Sequence, residues 1–245
     1  MSGSVSNDED RVFVKICGLT SEADALLAVG MGADAVGFVF APSPRQMAPG
    51  AVADIVKRLP HETITVGVFR DESPRRVVEI ANQIGLRGVQ LHGVESAEDT
   101  RWVNERVAWT IKAFPAGHRN IERFAEYGAR TLLVDGASPG SGEPFDWRLA
   151  EGVVDPSRLI VSGGLDPANV GAAIAHLHPF GVDVCSGVEA APGIKDPGKL
   201  RDFVTAARAA DARLGIGEGR TERAGKGDGD QDAAETPEVF DWQEQ

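Results

Sequence analysis

Short apolar runs alternate with longer stretches that mix polar and apolar residues along most of this chain. The first run, Val12-Phe-Val-Lys-Ile-Cys17, is rich in β-branched residues and predicts a buried strand ended by Gly18. The acidic-apolar pattern of residues 21–31 predicts a helix after it. The same alternation continues, with strands expected over 35–40, 64–69, 88–93, 109–114, 131–136, 158–164 and 181–187. Helices are expected over 50–59, 73–84, 95–104, 119–126 and 147–151, from Asp166-Pro167 onward, and over 199–211. Pro74 and Pro167 suit first helical turns, and Asp166 suits an N-cap. Eight strand-helix units in about 200 residues imply a parallel sheet closed into a (β/α)₈ TIM barrel, an α/β fold of one domain. An open doubly wound sheet would carry a Gly-rich dinucleotide fingerprint after its first strand; Cys17-Gly-Leu-Thr20 is not one.

The pattern is absent at both ends. Residues 1–11 are polar and acidic, and from Leu214 Gly, Asp and Glu dominate without an apolar period. The expected organisation is a disordered N-terminus at 1–11, the barrel at 12–211 and a disordered acidic tail at 212–245. Glu238-Val-Phe-Asp-Trp-Gln-Glu-Gln245 has two aromatics but no pattern that sets it apart from the tail.

Charge narrows the functional classes. The net charge is −12, which disfavours a nucleic-acid partner. Residues 212–245 alone hold nine Asp/Glu against four Lys/Arg, so much of that charge lies outside the expected barrel. The two cysteines, Cys17 and Cys185, and five scattered histidines have no metal-ligand spacing, so no metal is expected. No apolar run approaches the roughly 18 residues of a membrane span, and the N-terminus does not resemble a signal peptide. A cytoplasmic protein with no membrane partner is expected, monomeric or homodimeric.

Strand parity adds candidate chemistry. Phe13, Lys15 and Cys17 share one face of the first strand, and Val12, Val14 and Ile16 share the other. The inward list is then Lys15, Cys17, Gln90, His92, Lys112, Asp135, Asp183 and Cys185. Polar groups inside a barrel need partners. The first and eighth strands are neighbours in a closed barrel, so Lys15 and Asp183 are expected to form a structural ion pair. Cys17 and Asp135 fall at C-terminal strand ends, where such barrels keep their chemistry, and a thiol and a carboxyl there can act as base and acid. An ordinary Cys titrates near ~8.5 and an Asp near ~3.9, so the site must bring the two together; Lys15 is the candidate cation for lowering the thiol. Ser162-Gly163-Gly164 and Ser186-Gly187 are small-residue turns on the seventh and eighth strands, suited to cradling a phosphate with backbone N–H groups. Arg45, in the loop after the second strand, can fork a carboxylate.

Five stretches together resemble the phosphoribosylanthranilate isomerase family of tryptophan biosynthesis. They are Val14-Lys-Ile-Cys-Gly-Leu-Thr20, Gly88-Val-Gln-Leu-His-Gly93, Leu133-Val-Asp-Gly136 with the Gly-rich loop leading to Phe145-Asp-Trp147, Ser162-Gly-Gly-Leu-Asp-Pro167 and Gly181-Val-Asp-Val-Cys-Ser-Gly-Val-Glu189. The resemblance runs from about Val12 to Ala210; one departure is Cys185, where Ser is expected. It implies the Amadori rearrangement of N-(5-phosphoribosyl)anthranilate, a small phosphorylated substrate, to 1-(2-carboxyphenylamino)-1-deoxyribulose 5-phosphate, without a cofactor. It implies Cys17 as general base and Asp135 as general acid. The expected substrate-binding residues are Arg45, His92, Gly163, Gly164, Ser186 and Gly187. A related isomerase of the histidine pathway would be expected to carry Asp in place of Cys17. A catalytically silent, ligand-binding barrel would not need both Cys17 and Asp135.

Overall fold

The computed structural model describes residues 11–136, 147–151 and 155–214. Eight parallel strands close into a barrel in sequence order. They are β1 (Phe13–Ile16), β2 (Ala35–Val39), β3 (Ile64–Phe69), β4 (Gly88–Leu91), β5 (Thr110–Pro115), β6 (Thr131–Asp135), β7 (Leu159–Val161) and β8 (Gly181–Val184). The (β/α)₈ expectation holds, and closure is made by β1 against β8, with Lys15 opposite Asp183 and Ile16 opposite Val184. The outer helices are α1 (Glu22–Gly30), α2 (Pro49–Val56), α3 (Pro74–Ile84), α4 (Ala97–Asn104), α5 (Val170–Leu177) and α6 (Pro197–Leu214).

Local chemistry sets most boundaries. Ser21, Ser73 and Ser96 accept from the N–H groups of Asp24, Arg76 and Asp99, which caps α1, α3 and α4. Pro74 opens α3, and Gly85 ends it with φ 78°, a left-handed turn that suits glycine. Side-chain alternation then divides the core. Val12, Val14 and Ile16 pack outward among the helices. Phe13, Ala35, Val66, Ile111, Leu133 and Ile160 fill the barrel interior, as the parity of the first strand requires. The inward placement expected for Lys112 is corrected: with Ile111 and Ala113 facing in, Lys112 points to the outer side of β5, where Nζ donates to Glu95 Oε2 at 2.6 Å.

Several expected elements differ. The helix expected over 119–126 is a series of turns with a 3₁₀ segment at Phe124–Tyr127. Its buried residues, Ile121, Phe124 and Tyr127, recur every three positions, which is the 3₁₀ repeat rather than the α repeat. The helix expected over 147–151 is a 3₁₀ segment at Trp147–Ala150. Asp166 accepts from the N–H groups of Ala168 and Asn169 and so caps a turn; α5 itself starts later, at Val170. The last helix runs three residues past its expected end, to Leu214. A hairpin, β9 (Glu189–Ala191) with β10 (Ile194–Lys195), was not foreseen. Its signal was the Pro192-Gly193 turn, where Gly193 has φ 81°. The Gly-rich loop 137–144, residues 1–10 and most of the expected tail lie outside the described residues. Among the described residues no helix is long and apolar enough to cross a membrane.

Candidate active site

At the C-terminal ends of the strands a cavity of about 190 Å³ is lined by Cys17, Arg45, His92, Asp135, Gly163, Gly164, Ser186 and Gly187. All eight residues singled out in the sequence therefore meet in one place, carried there by β1, β2, β4, β6, β7 and β8 or the loops that follow them.

The thiol side is built on β1. The Cys17 N–H donates to the Val184 carbonyl at 2.8 Å, which holds the end of β1 on β8. Two residues below, Lys15 Nζ donates to Asp183 Oδ1 at 2.9 Å, with both side chains buried. The expected ion pair is present. Space for the thiol comes from Gly37 on β2: a Cβ placed there would lie 2.8 Å from Cys17 Sγ and 3.2 Å from Lys15 Nζ. Burial pushes the Cys17 thiol up; Lys15 pulls it back, Asp183 pushes it up again, and it remains above its ordinary value. The expectation that Lys15 would leave the thiol lowered is corrected, because desolvation of a thiolate outweighs one ammonium already paired with Asp183. For Lys15, burial pulls the ammonium down, but Asp183 and Cys17 outweigh it and raise it. Cys185, beside the same space, is pushed up to about 12, chiefly by burial.

The carboxyl side is built on β4 and β6. Asp135 Oδ1 accepts from the Gly136 N–H at 2.9 Å, and Oδ2 lies 3.1 Å from His92 Nε2. The other ring nitrogen, Nδ1, lies 2.8 Å from Gln90 Nε2. His92 thus reaches the cavity but is held within the protein by two partners. Gln90 stood in the inward-facing set without a role.

The third wall is glycine. Gly163 and Gly164 have φ 87° and 66°, a region that side chains rarely enter. A Cβ on Gly163 would stand 2.0 Å from the Gly136 nitrogen, and one on Gly187 1.9 Å from the Leu165 carbonyl. Only bare backbone lets these loops approach. The N–H groups of Gly163 and Gly164 have no acceptor among the described residues, so they remain available to an anion.

Arg45 closes the rim. Its Nε and Nη2 donate to Glu189 Oε1 and Oε2 at 2.7 and 2.6 Å, a bidentate fork. Lys195 Nζ, buried, donates to Glu189 Oε1 at 3.0 Å. Burial pushes the Glu189 carboxyl up, but Arg45 and Lys195 outweigh it and hold it below the usual range. Two cations around one carboxylate leave one positive charge in excess. Sequence reasoning missed Glu189 and Lys195 as site residues because the β9–β10 hairpin that brings them to Arg45 was not foreseen. Among the described residues no cluster of His, Cys, Asp and Glu is arranged to hold a metal ion.

The architecture and this rim define a (β/α)₈ barrel protein with a thiol–carboxyl site at the C-terminal ends of its strands. Comparison with known proteins narrows the class. The family model for N-(5'phosphoribosyl)anthranilate (PRA) isomerase matches residues 14–206. N-(5'-phosphoribosyl)anthranilate isomerase of Desulforudis audaxviator is 50% identical over 204 residues, covering 80% of this chain and 98% of its own. The crystal structure of phosphoribosyl anthranilate isomerase from Thermus thermophilus superposes with a TM-score of 0.75 at 40% identity, covering 81% of this chain and 99% of its own. A second phosphoribosyl anthranilate isomerase structure holds reduced 1-(o-carboxyphenylamino)-1-deoxyribulose 5-phosphate; it matches with a TM-score of 0.72 at 42% identity, over 81% of this chain and 99% of its own. The chain belongs to the N-(5'-phosphoribosyl)anthranilate isomerase family.

Proposed function

We propose that this protein catalyses the Amadori rearrangement of N-(5'-phosphoribosyl)anthranilate to 1-(2-carboxyphenylamino)-1-deoxyribulose 5-phosphate in tryptophan biosynthesis. The observation that carries the reading is the convergence of the Cys17 thiol, the Asp135 carboxyl and the Gly163-Gly164 turn on one cavity of a chain in this family. The phosphate binds the backbone N–H groups of Gly163, Gly164 and the Ser186-Gly187 turn. The excess positive charge of the Arg45–Glu189–Lys195 cluster attracts the anthranilate carboxylate, and Arg45 meets it with the edge of its guanidinium not engaged by Glu189.

The chemistry needs one acid and one base. Asp135 gives a proton to the ribose ring oxygen. The C1–O bond breaks as the anilino nitrogen's lone pair closes a C=N bond. Cys17 as thiolate takes the proton from C2, and those electrons neutralise the iminium to give an enolamine. Protonation at C1 and loss of the C2 hydroxyl proton then yield the ketone. No atom is gained or lost, and the substrate's own nitrogen is the electron sink, so the reaction calls for no cofactor.

The raised thiol has a consequence. Cys17 is mostly protonated in the empty site near neutral pH, so the reactive fraction of free protein grows as pH rises. Freshly made N-(5'-phosphoribosyl)anthranilate mixed with purified protein should lose its anthranilate-type fluorescence as product forms. A rate no faster than buffer alone would overturn the proposal.

A further inference from the structure

Gln90 lies on β4, 1% exposed in the barrel interior, two residues before His92, which directly follows the strand. A buried amide normally satisfies both its oxygen and its nitrogen. This one does not: Oε1 has no hydrogen-bond partner among the described residues. Its side-chain hydrogen bond is from Nε2 to Nδ1 of His92, at 2.8 Å. A leucine would fill a similar volume without burying an unpaired oxygen. The amide is therefore costly where it stands, and what it contributes is directed at the imidazole.

That contribution follows from donor and acceptor logic. An amide N–H donating to Nδ1 makes that nitrogen an acceptor, so the neutral ring carries its proton on Nε2. Nε2 faces Asp135 Oδ2 at 3.1 Å. His92 is then a donor toward Asp135 and cannot accept a proton from it at that nitrogen. Oδ1 already accepts from the Gly136 N–H. A protonated Asp135 with its hydroxyl at Oδ2 must turn that hydrogen away from His92, toward the cavity that both residues line. Once the proton has left, the carboxylate is met by the same two N–H donors.

We infer that Gln90 is a positioning residue: by fixing the Nε2–H tautomer of His92 it directs the acidic proton of Asp135 at bound substrate. The inference rests on the isomerase reading and deepens it by adding a third residue behind the acid. Without Gln90, Nδ1 can carry the proton, Nε2 becomes an acceptor, and the Asp135 proton is spent on His92. With Glu at 90, a carboxylate draws a proton onto Nδ1, the ring becomes imidazolium, and Asp135 is held as its carboxylate.

The test uses the full chain labelled with ¹⁵N-histidine, with the His92 signals assigned from a His92→Gln variant. The parent should show a neutral ring protonated at Nε2. Gln90→Leu should lose that fixed tautomer, and Gln90→Glu should show both ring nitrogens protonated. In turnover, Gln90→Leu should lower kcat about 10-fold or more while KM changes by about twofold or less. Its melting temperature should hold or rise, since the unpaired oxygen is gone. Gln90→Glu should lower kcat further. A parent ring protonated at Nδ1, or a Gln90→Leu variant with parental kcat, would overturn the inference. A parent that does not turn over N-(5'-phosphoribosyl)anthranilate would instead overturn the isomerase reading, and the tautomer measurement would still decide whether Gln90 sets the ring.

Discussion

Asp183→Asn tests the thiol side of the site through both stability and chemistry. The native pair holds Lys15 Nζ 2.9 Å from Asp183 Oδ1, with side-chain exposures of 0% and 5%. At that distance, and with an effective dielectric near 20, the attraction is about 6 kcal/mol. Both groups also lose hydration, and breaking a buried pair by removing one partner typically costs about 3–5 kcal/mol. Asparagine keeps the shape and an acceptor but removes the charge, so the buried ammonium loses its main compensation. A barrel of this size loses about 2–4 °C per kcal/mol, which places the expected fall in melting temperature at about 6–20 °C. The second effect is specific to the site. Asp183 pushes the Cys17 thiol up, so its removal should move the thiol down, provided Lys15 stays charged. Thermal unfolding measures the first effect, and the pH dependence of Cys17 alkylation, followed by mass spectrometry, measures the second. A replacement of both partners by apolar residues of similar volume should recover much of the lost stability. An Asp183→Asn protein that melts within a degree of the parent would refute the energetic argument. A thiol that moves up instead of down would refute the electrostatic one.

Cys17→Ala should lower kcat by roughly 10²–10⁴ while a product analogue still binds; near-parental turnover would remove Cys17 from the base role. In the parent, kcat/KM should climb with pH from neutrality toward the thiol's raised value, because the base form is the deprotonated one; a flat or falling profile over that range would contradict a thiolate base in the free protein. Arg45→Ala should raise KM by about 10–100-fold, the worth of a charge-assisted hydrogen bond to a carboxylate, and lower kcat less. Both proteins should then treat a substrate without the ring carboxylate alike, and continued discrimination by the variant would exclude Arg45 as the fork. A chain ended after Leu214 should keep its melting temperature and activity, since α6 buries Leu200, Phe203, Val204 and Ala207 before that point and the Desulforudis relative is 98% covered by the matched region; a large drop in either would show that residues beyond 214 contribute.

Much of this molecule was written locally. A β-branched run bounded by glycine, a serine before a helical stretch and a strict two-residue alternation act over a few neighbours, so the succession of strands and helices could be read along the chain and the inward face of β1 from Val12 to Gly18. Closure then followed from counting eight units, and the Lys15–Asp183 pair from closure. The sites of Cys17, Asp135 and the paired glycine turns were legible for the same reason: each sits at a strand end, and strand ends form one rim. What the sequence could not determine depends on distances between segments far apart in the chain. Burial of Cys17 among Lys15, Asp183 and Gly37 decided that desolvation outweighs the ammonium, which reversed the expected shift of the thiol. The hairpin at 189–195 brought Glu189 and Lys195 to Arg45 across 144 and 150 positions. The buried Gln90 gained a meaning only when His92, two residues on, was found bonded to Asp135 from another strand. Backbone patterns are set by neighbours, whereas proton positions and charge balance are set by whatever the fold packs against a group, and that is a property of the tertiary structure alone.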